Sequence, residues 1–547
     1  MTESLFLWPG NAWIGGRKMR TMLMRQIWML LATLVLMLLL APTSVVLADG
    51  FSGGIGDTFG PRFKADPSRT PRGATDLRRR SRPVVDAAGS VQRWNQIAID
   101  ATGLDHTPIT PGDTRANYAE QLGPGRSSRA MAIVHLAMFD ALNAIEGEYK
   151  SYSGVGAAPF GTSTKAAIAQ AAHDTLVALF SAQASTFDEE LAGDLNEIPD
   201  GGLKANGVAL GKQTAAAILT ARADDGSQHA EPQVDAGPGS FITNNDPGKW
   251  RQDPISKIPL ALGAFWGNVK PFVLKRGDQF RVPPPPPLDS GEYAVAFDEV
   301  KVLGGDGIVT PTTRTPEQTQ IGIYWAYDGT PSLCAPPRLY NQITMRIAQK
   351  MGTDRNALEL ARLLALVNVA MADAGIAVWE SKYHYQFWRP ITGIREADEQ
   401  TGPTGRGDGN PATIGDTTYS PLGAPASNLR GPNFTPPFPA YPSGHAGFGG
   451  ALFEMLRNFY RTDRIAFSFV SDEFNGVTRD NAGTVRSLVE RRFSSLSQAE
   501  KENAQSRIYL GIHWSFDATE GITQGNRVAD YVFKHALQPR HQRGDGR

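Results

Sequence analysis

The stretch NALELARLLALVNVAMADAGIAVWESKYHYQFW, residues 356–388, decides the fold class. Leu360, Leu363, Leu364, Val367 and Met371 recur at helical spacing, so the segment reads as one long helix with an apolar stripe. Its neighbours Pro316 to Asp328 and Tyr340 to Met351 read as helices too. Further upstream, Arg126 to Tyr149 places Met131, Val134, His135, Met138, Phe139 and Leu142 on one face. Thr164 to Gln183 and Leu203 to Arg222 are alanine-rich, which favours close helix packing. Helices resume after Ser443, around Gln498 to Leu510, and from Trp514 to His535. No alternating run of strand length interrupts them. The sequence therefore predicts an all-α protein: a large helical domain built on two helical bundles, with long Pro/Gly-rich loops.

With 547 residues the chain can bury a large core, and 57 glycines and 38 prolines predict long irregular connections. Residues 237–288 carry Gly-Pro breaks and the run Pro283 to Pro287, which must be polyproline II. Such a run serves as an SH3-type ligand or, more commonly, as a rigid connector. As a connector it divides an N-terminal helical half, 91–290, from a C-terminal half, 291–547. Residues 395–442 form one long Gly/Pro/Thr-rich loop, and loops of that length inside a domain are usually functional. Residues 49–90 are expected to be an extended or poorly ordered lead-in.

Lys18, Arg20 and Arg25 precede the apolar run Ile27 to Ala41, which ends in Pro42 and the small-residue exit Val46-Leu47-Ala48. This reads as a secretory signal peptide over 1–48, cleaved after Ala48, with Met19 or Met22 as alternative initiators. The competing reading is an uncleaved anchor helix over Ile27 to Ala48. Cleavage implies a secreted or periplasmic protein. No other segment is expected to cross a membrane, so no stable membrane insertion should remain. A net charge of −1 gives no field for nucleic acid. Cys334 is the only cysteine, which excludes an internal disulfide and a thiolate metal site, and it is expected to be buried and inert.

Three clusters carry chemistry. In KYHYQFWRP (Lys382 to Pro390), Lys382 and Arg389 are two helical turns apart and so fall on one helix face, with Pro390 ending the helix. They are either solvated surface cations or functional ones, and the crowd of Tyr383, Tyr385, Phe387 and Trp388 argues against a solvated face. In YPSGHAG (Tyr441 to Gly447), Ser443 is a good N-cap, Gly444 admits close backbone approach, and His445 can act as acid or base. The free amides of a helix N-terminus suit an anion, although an ordinary capped helix fits as well. In SRIYLGIHWSFD (Ser506 to Asp517), Asp517 can orient His513 from four residues away on a helix, with Arg507 preceding a bend at Gly511. A plain helix salt bridge is the alternative. His135 and Asp140 read as a satisfied core pair rather than a second site. Together the clusters describe a pocket for a phosphate-shaped oxyanion.

The ordered spacings K-x6-RP, PSGH and SR-x5-H-x3-D resemble the type-2 phosphatidic acid phosphatase and vanadium haloperoxidase superfamily. WGNVKPFVL and QFRVPPPPP (266–287), WAYDGTPSLCAPPRLYNQI (325–343), FPAYPSGHAGFGGALF and SDEFNGV (471–477) are similar to its vanadium-dependent haloperoxidase branch. The resemblance runs from about residue 90 onward. It implies a vanadate (vanadium V) cofactor bound through His513. Lys382, Arg389, Ser443, Gly444 and Arg507 would hold its oxygens, with His445, Lys382 and Asp517 as the catalytic set. It further implies that Asp328 is a buried carboxylate bracing the cations. Phe438 would occupy an aromatic position typical of chloroperoxidase-like members. Hydrogen peroxide, halide and small organic acceptors are the implied partners, and a hypohalous acid equivalent the product. The same residues would also serve an acid phosphatase acting through a phosphohistidine at His513. A non-catalytic oxyanion-binding protein would need neither histidine. The absence of a multi-pass membrane bundle, the large N-terminal half and the flanking segments favour the haloperoxidase. An even charge and a loop-rich surface are compatible with a homodimer.

Overall fold

The computed structural model describes residues 55–66 and 86–540, so the expected signal peptide lies outside the described residues. In chain order these residues form the helical turn α1 (Gly56–Phe59), strand β1 (Lys64–Ala65), and helices α2 (Ala87–Asp105), α3 (Gly123–Glu146), α4 (Thr164–Leu179), α5 (Ala184–Asn196) and α6 (Gly202–Ala221). Next come α7 (Gly291–Gly304), α8 (Pro316–Tyr324), α9 (Pro336–Met351), α10 (Ala357–Tyr385), α11 (Pro390–Arg395) and β2 (Leu429–Arg430). The chain closes with α12 (Gly444–Tyr460), β3 (Phe467–Val470), β4 (Glu490–Phe493), α13 (Leu496–Tyr509) and α14 (Ser515–His535). The two sheets are antiparallel pairs, β1 with β2 and β3 with β4, and the all-α reading stands.

Helix α10 organises the rest. The Asn356 side chain accepts the Glu359 amide at 3.0 Å and starts it. From Leu360 to Trp379 every residue is buried, as expected of a helix apolar all round. It packs on α3, α12 and α14. Its length and hydropathy would suit a membrane span, which the sequence reading did not anticipate, yet its apolar window is wholly buried inside the protein. One core cluster runs from Val91 to Leu537, across the boundary expected near residue 290. The two helical halves lie within one compact unit. The proline run is non-helical, and the Tyr441 hydroxyl donates to the Pro283 carbonyl at 2.7 Å.

Helices α12 and α14 cross where both carry glycine. A Cβ on Gly525 would lie 2.2 Å from the Gly447 carbonyl oxygen, so only hydrogen fits there. This contact fixes the first turns of α12 against the middle of α14.

Three expectations change. First, α10 stops at Tyr385, because Gln386 turns left-handed (φ +52°) and its backbone is captured by residues 248–250. Trp250 N–H donates to the Gln386 carbonyl at 2.7 Å, and Trp388 N–H to the Gly248 carbonyl at 2.9 Å. Lys382 and Arg389 therefore do not share a helix face, and Pro390 opens α11 rather than ending α10. Second, part of the lead-in is ordered. Phe59 and Phe63 pack on Phe434 at 5.6 and 5.9 Å between ring centroids, β1 pairs with β2, and Asp66 accepts from Arg430 Nε at 2.8 Å. Third, His135 and Asp140 are not paired. Asp140 accepts the Tyr152 and Ser153 amides at 2.9 and 2.7 Å, while both ring nitrogens of His135 lack a partner.

Burial pushes the His135 pKa down to about 3, so the native state keeps the ring neutral. Between pH 6.5 and about 3 the unfolded chain binds a proton that the native state does not. Stability therefore falls on acidification through that window, by about 1.4 kcal/mol per pH unit at most. Thermal unfolding of His135→Leu is expected to show a Tm advantage over wild type that widens from pH 7 to pH 5. An advantage that does not change with pH would contradict this.

Candidate oxyanion-binding active site

Each element ends at the same place. Lys382 lies in the last turn of α10, Arg389 just before α11, and Ser443-Gly444-His445 at the start of α12. Arg507 is in the last turn of α13, and Asp517 in the first turn of α14. His513 precedes α14 rather than lying on it, because Gly511 (φ +72°) breaks the chain after α13. Asp328 follows α8 in a loop shaped by positive φ at Tyr327 and Gly329. Every site residue expected from the sequence is thus brought to one locus.

The contacts there are specific. Lys382 Nζ donates to the carbonyls of Pro439 and Ala440, both at 2.8 Å. Arg389 Nε donates to the Phe438 carbonyl at 2.9 Å, and its Nη1 to the Ile512 carbonyl at 2.8 Å. Arg507 Nη2 bonds both oxygens of Asp328, at 2.8 and 2.9 Å. The Phe438 ring lies beneath Lys382 and Arg389, 5.2 and 5.0 Å from their charged groups, and packs on Trp379. The Ser443 amide donates to the Asp517 carbonyl at 2.9 Å, and its hydroxyl oxygen caps α12, which leaves the O–H free to donate.

Three buried cations face two carboxylates, and such a surplus is costly without a further anion. Burial, then the like charge of Arg389, pushes Lys382 well below the usual lysine range. Burial also lowers Arg389 to about 9 and raises Asp517 to about 7. Arg389 Nη2 and Arg507 Nε and Nη1 are buried donors without partners. An oxyanion would satisfy all three and the first amides of α12. Among the described residues no cluster of His, Cys, Asp and Glu could hold a bare metal ion. The donor set fits a metal that brings its own negative oxygens, as vanadate does.

The histidines are set up differently. His513 Nδ1 lies 2.7 Å from Asp517 Oδ2, and its Nε2 accepts from Arg389 Nη1 at 2.9 Å. These partners assign the proton to Nδ1 and a lone pair to Nε2, the form that ligates metals. Burial, then Arg389, holds its pKa well below the usual range, so the ring is neutral. His445 donates from Nε2 to the Ala326 carbonyl, which leaves Nδ1 as the basic nitrogen. Burial, then Arg507, keeps it neutral as well. Tyr340 Oη and Asn503 Nδ2 each donate to the His445 carbonyl at 3.0 Å.

Sequence reasoning missed Tyr340, Asn503, Trp379 and the Ala326 carbonyl. Asn503 lies one helical turn before Arg507, and Trp379 one turn before Lys382, so spacing alone could have found both. The Ala326 carbonyl has no sequence signal. The locus forms the floor of a cleft lined by Trp379, Phe438, Gly444, His445, Arg507 and His513 among others.

Residues 362–542 match the family described as the VCPO second helical-bundle domain. A vanadium chloroperoxidase from Curvularia inaequalis is 30% identical over 508 residues, covering 78% of each chain. The fold is shared with the crystal structure of a bacterial vanadium-dependent iodoperoxidase, at 22% identity and a TM-score of 0.64 over 83% of this chain and 98% of that one. A holo-type bacterial vanadium-dependent chloroperoxidase gives a TM-score of 0.56 at 16% identity, with 78% of this chain and 94% of that one covered. A relative of that identity over most of the chain, aligned with a domain match that spans all three motifs, makes this protein a member of the vanadium haloperoxidase family.

Proposed function

We propose that the protein uses vanadate and hydrogen peroxide to oxidise halide to a hypohalous acid equivalent. The observation that carries this reading is the set of partnerless guanidinium donors beside a neutral histidine with its Nε2 lone pair free of a proton. Lys382, Arg389, Arg507, Ser443 and Gly444 would hold the vanadate oxygens, and His513 Nε2 the metal. Vanadate, when bound, supplies a Lewis-acidic centre that activates peroxide toward halide without changing oxidation state. Asp517 keeps the proton of His513 on Nδ1. His445 accepts the peroxide proton at Nδ1 and returns it to the departing oxygen. Asp328 holds Arg507 in place and offsets its charge. Trp379 and Phe438 exclude water from the cationic side chains, which strengthens their field. Secretion or periplasmic export is supported by the basic and apolar pattern of residues 18–48. A homodimer is compatible with the even charge and loop-rich surface.

The test uses protein stripped of metal, with and without added vanadate. Dye bromination by hydrogen peroxide and hydrolysis of an aryl phosphate are measured in parallel. Vanadate-dependent bromination, with any hydrolysis inhibited by vanadate, is expected. Robust phosphate turnover without bromination would sink the proposal in favour of a phosphohistidine at His513.

A further inference from the structure

Two supports of the cradle come from one loop, residues 325–329. The Ala326 carbonyl accepts from His445 Nε2, and Asp328 braces Arg507. Between them Tyr327 holds a left-handed backbone (φ +47°), which a tyrosine keeps only where its surroundings impose it. The segment 471–473 imposes it. Ser471 Oγ donates to the Tyr324 carbonyl, and the Asp472 amide to Tyr327 Oη, both at 2.7 Å. Glu473 closes this latch from inside the protein, fully buried. Its Oε2 accepts from Ser427 Oγ at 2.6 Å and from Arg486 Nη1. Its Oε1 makes no hydrogen bond of ordinary geometry, and the Tyr327 amide faces the carboxylate.

A plain structural ion pair with Arg486 would be poorly placed here, because the buried Asp328 carboxylate opposes a second negative charge. We infer that Glu473 is a positioning residue: its ionised carboxylate attracts the Tyr327 amide and so sets the Ala326 carbonyl and Asp328, and through them His445 and Arg507. The inference rests on the haloperoxidase reading above, in which His445 moves the peroxide proton and Arg507 holds vanadate. Burial raises the Glu473 pKa to about 7 against the pull of Arg486 and Ser427, and Asp328 adds to the rise. These three and the Tyr327 amide are the groups that face it, whereas Asp472 turns to Arg338 and Gln342. Glu473 is therefore ionised above about pH 7 and neutral below, where an uncharged carboxyl attracts the amide more weakly.

The test compares the full chain with Glu473→Gln, which keeps the shape and removes the charge, from pH 5 to pH 8. Equilibrium dialysis of stripped protein reads vanadate affinity, and bromination at saturating vanadate reads turnover. At pH 8 the variant is expected to lose about tenfold in each, the low end for a residue that orients ligands from behind. At pH 5 Glu473 is neutral in wild type as well, so both ratios should approach one. Other groups that titrate in this range, Asp517 among them, are common to both proteins and cancel in the ratio. Ser427→Ala guards against a misfolded Glu473 variant. Without that hydroxyl Glu473 ionises at higher pH, so Ser427→Ala should fall below wild type only in a window around and above pH 7. A wild-type to Glu473→Gln ratio that does not change with pH in either measurement overturns the inference, as does a Ser427→Ala profile that matches wild type throughout. Vanadate binding without bromination overturns the haloperoxidase reading and leaves the binding measurement to decide the inference. Absence of vanadate binding in wild type overturns both.

Discussion

His513→Ala is expected to lose vanadate binding and, with it, halide oxidation. Its Nε2 lone pair already lies 2.9 Å from Arg389 Nη1, beside the partnerless guanidinium donors. Changing a residue that merely orients a ligand already costs about 10–100-fold in metal affinity, so removing the ligand should cost more than about 100-fold. Asp517→Asn makes the graded comparison. An amide in place of the carboxylate no longer requires the proton on Nδ1, so the lone pair on Nε2 is lost from part of the population. A drop in vanadate affinity of about 10–100-fold is expected. Equilibrium dialysis or vanadium NMR on refolded, stripped protein reads both. Retention of wild-type affinity by His513→Ala would remove His513 from the metal site.

His445→Ala should separate turnover from binding. The ring is fixed by its Nε2–H bond to the Ala326 carbonyl and by two donors on its own carbonyl, so it is positioned before substrate arrives. Its Nδ1 is a base, whereas the charge that holds an oxyanion comes from Lys382, Arg389 and Arg507. Turnover is expected to fall by roughly 10²–10⁴-fold, the usual share of general acid–base catalysis. Vanadate affinity should change only a few-fold. If bromination stays at the wild-type rate, the peroxide proton is handled elsewhere.

Much of this was legible in the sequence because it depends on local rules. The apolar stripe through Leu360, Leu363, Leu364, Val367 and Met371 gave α10, and the Ser443 cap gave the start of α12. The order and spacing of three motifs located every cationic residue of the cradle. What escaped depends on contacts between distant segments. The end of α10 is set by residues 248–250 pairing with Phe387, which no local signal near Gln386 announces. The strap at 55–66 is ordered by partners near residues 255 and 430, while its own composition resembles a loose tail. His513 was read onto a helix because Asp517 is one turn away, yet the bond between them survives with His513 outside α14. The pairing of His135 with Asp140 failed for the same reason: the Asp140 carboxylate is taken by the amides of Tyr152 and Ser153.

Helix α10 is common to both bundles, touching α3 as well as α12 and α14. A hinge between the bundles would have to shear that helix and split one continuous core cluster, which opposes a domain-closing motion. The cradle is set at folding. Its dipoles need not reorganise when an anion arrives, and each turnover begins from the same electrostatic arrangement. The 395–442 loop lies outside the helices, yet its end, Phe438 to Ala440, holds Lys382 and Arg389, so it belongs to that fixed arrangement.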